Sequence, residues 1–260
     1  SSAASDVYKR QGLCRMTLMR SLIAAFAIFF LIPVLASSAW WALTERPSQW
    51  NRAIWTSAGT LPPADRERAA VYILAARTGG MKGAISLHSW IVLKRPGEAR
   101  YERYDKVGWG QPVRRNHRDA DGFWYSNEPF IVHAVEGQAA EALLPQFDAA
   151  IAAYPYAQAG GYHIWPGPNS NSFVAYVLDA VPDFGGRLPP HAVGRDFAPG
   201  WGRFGPTPDG RDFRASLGGY AGITVGLASG LEINILGLVA GLDFRRLGVK
   251  LPGVGTISLR

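Results

Sequence analysis

The chain has 260 residues, 48% of them apolar and 12% aromatic, which is globular rather than disordered and leaves material for one good core or two small ones. The formal net charge is +7, yet the arginines are scattered, only Arg114, Arg115 and Arg118 cluster, and no zinc-finger or helix-turn-helix pattern points to nucleic acid. One cysteine, Cys14, rules out an intramolecular disulfide, a cysteine-ligated zinc site and any thiol nucleophile downstream of it.

In chain order, residues 1–15 read as a non-native leader: Ser-Asp-Val-Tyr-Lys-Arg-Gln is linker-like, and Met16 reads as a natural start. Residues 18–43 hold an uncharged run after Arg20 of about 23 residues, against the roughly 20 that a helix needs to cross hydrocarbon. Arg15 and Arg20 precede the run, and Trp40 and Trp41 stand at its far end, where aromatic rings favour the lipid interface. This pattern predicts a single-pass anchor with its amino terminus inside and the main domain outside the cytoplasm. A cleaved signal peptide is the rival reading, because Ala36-Ser37-Ser38-Ala39 offers small residues after the apolar core.

Residues 44–63 form a Pro/Ser/Thr linker carrying Trp50 and Trp55, able to lie along the membrane before the domain begins. From residue 64, Ala69, Ala70, Ile73, Leu74 and Arg77 at three- and four-residue spacing predict a helix stopped by Gly79-Gly80. Residues 83–94 and 99–109 then predict a β-hairpin with His88 in its first arm. A bulge-free turn pairs residue 88 with residue 106 and puts Glu102, Tyr104 and Lys106 on the His88 face; a one-residue bulge reverses that assignment. Residues 123–135 add one or two strands, and residues 138–154 read as a helix with Pro145 inside it.

The string Gly-Pro-Asn-Ser-Asn-Ser-Phe, from Gly167 to Phe173, opens a short helix expected over residues 172–180. Asn169 and Ser170 both suit a helix cap. Residues 185–215 are rich in Gly, Pro and Arg and predict a long loop packed by Phe197, Trp201, Phe204 and Phe213. Residues 216–260 carry glycine-punctuated β-rich runs and predict a small meander able to seat against the domain or a lipid surface. Asp119 and Asp121, beside Gly122, suit an Asx turn.

The order of a His-bearing strand, further strands, a helix and then Asn169-Ser170-Asn171-Ser172-Phe173 at a helix start resembles the circularly permuted papain-like hydrolases. These form the NlpC-type superfamily, with the PPPDE-type peptidases and the lecithin-retinol acyltransferase-like proteins. PPPDE-type proteins carry Asn-Cys-Asn-His-Phe, so Ser170 falls at the cysteine position and His88 matches the histidine. The stretch 71–181 with the glycine-rich tail is also similar to a bacterial membrane-protein family known only as a domain of unknown function.

The resemblance implies an α+β fold: a permuted papain-like domain over residues 64–184, an antiparallel sheet with packed helices, after one transmembrane helix and before a β meander. It implies a Ser170–His88 pair acting on an amide or ester of the cell envelope, with a lipid ligand as another occupant. Asn169 and Asn171 are then candidate oxyanion donors, and Tyr104 or Glu102 candidate orienting groups for the imidazole. A serine is far less acidic than a thiol, so it needs concerted proton removal and a preorganised oxyanion hole. The alternative is an inert papain-like binding or structural module. The five histidines show no paired ligand spacing, so neither metal nor cofactor is expected.

Overall fold

The computed structural model describes residues 15–47, 49–200 and 202–259. Residues 1–14 of the leader, Cys14 among them, and Trp201 lie outside the described residues. The fold is α+β, with two antiparallel sheets and an amino-terminal apolar helix.

Helix α1 (Arg15–Leu43) is long and apolar enough to cross a membrane and contains a π-helical turn at Ala27–Leu31. Its last turns belong to the domain. Trp41 is buried, its Nε1 donates to the Gly80 carbonyl at 2.9 Å, and its ring lies 2.2 Å from where a Cβ on Gly83 would stand. The Ser37 hydroxyl donates to the carbonyls of Ala84 and Gly253.

The first sheet has the order β4-β3-β2-β1-β5: β1 (Ala70–Arg77), β2 (Leu87–Lys94), β3 (Glu102–Lys106), β4 (Val113–Arg115) and β5 (Phe130–Glu136). The expected helix after residue 64 is therefore strand β1. The centre of a sheet covered on both faces carries a nearly continuous apolar run, and such a run satisfies the helical spacing as well as the strand one. Helices α2 (Gln138–Ala152) and α3 (Ser170–Ala180) cover one face, where Ile73, Ile91 and Leu93 meet Phe147, Phe173 and Val177. The other face, with Tyr72, Leu74, Trp90 and Val92, is covered by Trp124 and by Trp55 and Leu61.

Trp55 and Leu61 come from the segment read as a linker, which packs as a lid on the sheet. Asp119 and Asp121 hold it there, accepting from the Ser57 amide at 2.9 Å, the Ser57 hydroxyl at 2.7 Å and the Leu61 amide at 3.1 Å.

The second sheet has seven strands in simple meander order: β6 (Arg203–Pro206), β7 (Asp212–Leu217), β8 (Ala221–Gly226), β9 (Gly230–Ile235), β10 (Leu238–Asp243), β11 (Gly248–Leu251) and β12 (Gly255–Ser258). It begins inside the stretch expected as loop. Phe204 and Phe213 do not pack that loop; they meet edge to face at 4.8 Å on the outer side, and Phe204 is 82% exposed. The inner side is polar. Glu232 lies between Arg195 and Lys250, and Asp212 accepts from the amides of Ala228 and Ser229 and the Ser229 hydroxyl.

One clamp ties α3 to the first sheet. The buried Asn171 side chain donates to the Leu87 carbonyl at 2.9 Å and the Val193 carbonyl at 2.8 Å, and accepts from the Ser89 hydroxyl at 2.8 Å. Replacing it strands the buried Ser89 hydroxyl and takes one donor from each of the Leu87 and Val193 carbonyls, which keep Ser86 and Asn169, so Asn171→Ala is expected to lower stability by about 1–3 kcal/mol, read from denaturant midpoints in detergent.

Candidate functional site

The site is built on the first half of β2. The β2–β3 ladder sets Ile91 opposite Tyr104 and Leu93 opposite Glu102. This register differs by one residue from the bulge-free one, because residues 95–101 form a broad loop bonded to neighbouring segments: the Gly97 amide donates to the Arg66 carbonyl and the Tyr101 hydroxyl to that of Pro62. Side chains alternate along strands, so the shift exchanges the faces. Arg103 and Asp105 share the His88 face; Tyr104 and Glu102 lie on the opposite one. Tyr104 donates to Glu102 at 3.0 Å, and Glu102 also pairs with Arg95 and Arg115, so neither residue orients the imidazole.

Asp105 does that. His88 Nε2 lies 2.8 Å from Asp105 Oδ1, and Arg103 donates to the same carboxylate through Nε at 2.7 Å and Nη2 at 2.9 Å. The His88 ring stacks on Trp124 at 3.6 Å, and the Arg103 guanidinium lies 3.9 Å over Trp90. Burial alone would raise the Asp105 pKa, but the Arg103 charge and the hydrogen bonds from His88 and Arg103 outweigh it and hold the carboxyl well below the usual range. Burial lowers the His88 pKa, with Asp105 opposing in part. A neutral imidazole facing an ionised carboxylate must carry its proton on Nε2, since the carboxylate only accepts. The lone pair is therefore on Nδ1, which has no hydrogen-bond partner among the described residues.

The helix start is equally defined. Asn169 is the N-cap of α3: its Oδ1 accepts from the amides of Asn171 and Ser172, and Ser172 Oγ accepts from the Asn169 amide, closing a capping box. Asn169 Nδ2 donates to the carbonyls of Ile164 and Val193. The side-chain donors of Asn169 and Asn171 are thus committed to the fold, so neither is free to serve an oxyanion. Ser170 takes no part in the cap. Its hydroxyl is 3% exposed at the residue level and makes no hydrogen bond among the described residues, to His88 or to any other group.

Other polar atoms around Asp105 also lack partners. His117 Nδ1 stands 3.5 Å from Asp105 Oδ2, and both its ring nitrogens, like Trp124 Nε1, are buried without a hydrogen bond. Burial lowers the His117 pKa to about 4. On the opposite face, burial lowers the Lys106 ammonium to about 8 where it donates to the Tyr156 carbonyl at 2.6 Å. Asp105 and Arg103 escaped the sequence reading, their only signal being the alternate hairpin register; His117, in the loop after β4, gave none. His133 bonds the Phe184 carbonyl, and His191 packs beside Gly255, both away from this cluster.

These burials set a pH dependence. The unfolded chain takes up protons on His88 and His117 as pH falls through about 6.5, whereas the folded chain resists until lower pH, near 4 for His117. Stability is full above about pH 6.5 and falls as pH drops through that window, by up to about 3 kcal/mol from His117 alone. Urea midpoints at about pH 7 and about pH 4.5 measure it, and the difference is expected to shrink in His117→Gln.

The family described as "Protein of unknown function (DUF3750)" matches residues 68–197, half of the chain. No curated protein matches the sequence, and no solved structure matches it. The matched stretch runs from β1 past the start of α3 and so holds His88, Asp105 and Ser170 together; the chain belongs to this family of proteins of unknown function.

Proposed function

We propose that this protein is a membrane-anchored hydrolase or acyltransferase of the cell envelope, in a domain of permuted papain-like descent, with Ser170 as nucleophile, His88 as base and Asp105 as the group that orients it. The observation that carries the reading is the His88–Asp105 pair at 2.8 Å. It fixes the tautomer and leaves Nδ1 as an unpaired lone pair, on the face of β2 opposite the one to which α3 is clamped. Ser170, released from capping by Asn169, supplies the hydroxyl. In this reading, as Oγ attacks a carbonyl carbon of an amide or ester, its proton has to reach Nδ1 around the amino-terminal end of β2, from the α3 face to the His88 face, and the imidazolium is held by Asp105. The amide of Ser170 stands at the first position of α3, where no intrahelical acceptor exists, and is the donor aimed at an oxyanion.

The anchor reading rests on α1. Its docked residues include Ser37 and Trp41, so removal at Ala36-Ser37-Ser38-Ala39 would take away the Ser37 contacts with Ala84 and Gly253. Retention of the helix, amino terminus inside, puts the domain outside the cytoplasm.

Two observations favour the inert-module reading: no hydrogen bond joins Ser170 to His88 among the described residues, and the His88 ring, stacked on Trp124, lies on the sheet face opposite the one that α3 covers. A fluorophosphonate separates the two. The active reading expects a covalent adduct on Ser170, found by peptide mass spectrometry, with Ser170→Ala unlabelled and His88→Ala labelled at least about 100-fold more slowly. Asp105→Asn is expected to slow labelling by about 10²–10⁴-fold. The wild-type rate should stay flat down to about pH 6.5 and fall only below it, since the lowered His88 pKa keeps the base neutral. Absence of any adduct on Ser170 in the folded wild-type protein sinks the active reading.

A further inference from the structure

The second sheet is inside out. Its register runs Phe213 opposite Val225, Ile223 opposite Ile233, and onward through Leu242 to Val249 and Ile257, so these residues share one face. Phe213, Ile223, Val225, Ile233, Leu242 and Ile257 are all exposed. The opposite face carries Asp212, Ser216, Thr224, Glu232, Asn234 and Lys250, all buried against the domain. A sheet packed on one side in water shows the reverse alternation, apolar in and polar out. A contiguous outward apolar face of this kind marks an interaction surface.

Helix α1 says what that surface meets. The π-helical turn Ala27–Leu31 packs against β10, and Phe30 in that turn is buried. Phe30 lies ten residues beyond Arg20, about 15 Å along a helix. With Arg20 at one membrane surface, that is about half-way through a hydrocarbon core of about 30 Å. The strand beside Phe30 is then at the depth of lipid tails, and the apolar face of its sheet is continuous with the apolar surface of α1.

The turns at one end of the sheet add the complementary chemistry. The β8–β9 and β10–β11 turns expose Leu227, Phe244 and Leu247, and the β6–β7 and β10–β11 turns expose Arg211, Arg245 and Arg246. These three guanidinium groups have no ion pair among the described residues. Apolar tips beside unpaired arginines match an anionic lipid interface. Two copies stacked face to face would instead bring like-charged rims together.

We infer that the outward face of the second sheet is a membrane-seating surface, immersed in one leaflet beside α1 and holding the domain flat against anionic lipid. Among the described residues the sheet is open, with β6 and β12 as its outermost strands, and only a closed barrel of strands spans hydrocarbon, so the sheet lies in the leaflet without crossing it. The inference rests on the reading of α1 as a retained membrane span.

The test uses the full chain with Cys14→Ser and one new cysteine, Ile233→Cys or Ile223→Cys, carrying a polarity-sensitive fluorophore. It is reconstituted in vesicles of phosphatidylcholine with about one-third phosphatidylglycerol, and Glu98→Cys on the β2–β3 loop serves as the aqueous reference. Seating predicts quenching of the sheet probes by brominated lipid and iodide quenching at least about five-fold weaker than at the reference. Vesicle flotation reports on α1 separately. A chain that does not float overturns both the span and the seating. A chain that floats while its sheet probes are open to iodide and untouched by brominated lipid overturns the seating alone. Protection from both quenchers also overturns it and gives the face to a second copy.

Discussion

The start of β2 is gripped from both sides, and the rest of the molecule is arranged around that grip. Asn171 holds the Leu87 carbonyl and the Ser89 hydroxyl from the helix side, while Asp105 holds the His88 ring from the other. Successive side chains of a strand point to opposite faces, so three consecutive residues fasten α3, define the strand and present an oriented imidazole. Because each group is buried, each hydrogen bond is costly to lose, and the geometry is correspondingly fixed.

The chemistry of the pair follows from that burial. An isolated carboxylate at full burial would take up a proton; the adjoining Arg103, stacked on Trp90, keeps Asp105 ionised, and the ionised carboxylate in turn decides which nitrogen of His88 is protonated. Burial meanwhile keeps His88 neutral. A neutral imidazole with a defined lone pair is what a serine requires, since serine cannot be stored as an alkoxide in the way cysteine is stored as a thiolate. The same set of groups sandwiched between two tryptophans is also a well-satisfied structural knot, and the unbonded Ser170 hydroxyl is the feature that the knot alone does not account for.

The second half of the chain solves a different problem. A meander whose inner face carries Glu232, Lys250 and Asp212 needs partners for every buried charge, and the segment before it supplies them through Arg187 and Arg195. With polar groups turned inward, the apolar residues of the same strands have only the outside left. Docking of Trp41 and Ser37 on the domain keeps α1 close to that outer face, so the two apolar surfaces are neighbours.

Much of this was legible in the sequence. The apolar length of α1, the extent of α2, the turn at Asp119 and Asp121, the helix start at Asn169 and the β-rich tail are local features, each set by composition or by residues within a few positions of one another. What failed was parity and partnership. A run such as Ala70–Arg77, buried on both faces, satisfies helix and strand periods alike, and only pairing with β2 and β5 made it a strand. The face of His88 turned on one residue of register, which the loop over residues 95–101 decided through contacts with the Arg66 and Pro62 carbonyls, distant in sequence. Tertiary structure alone chose Asp105 over Glu102 and Tyr104, assigned the cap to Asn169 rather than Ser170, and turned the tail sheet inside out, because alternation fixes only that neighbouring side chains oppose one another, while long-range partners decide which side is in.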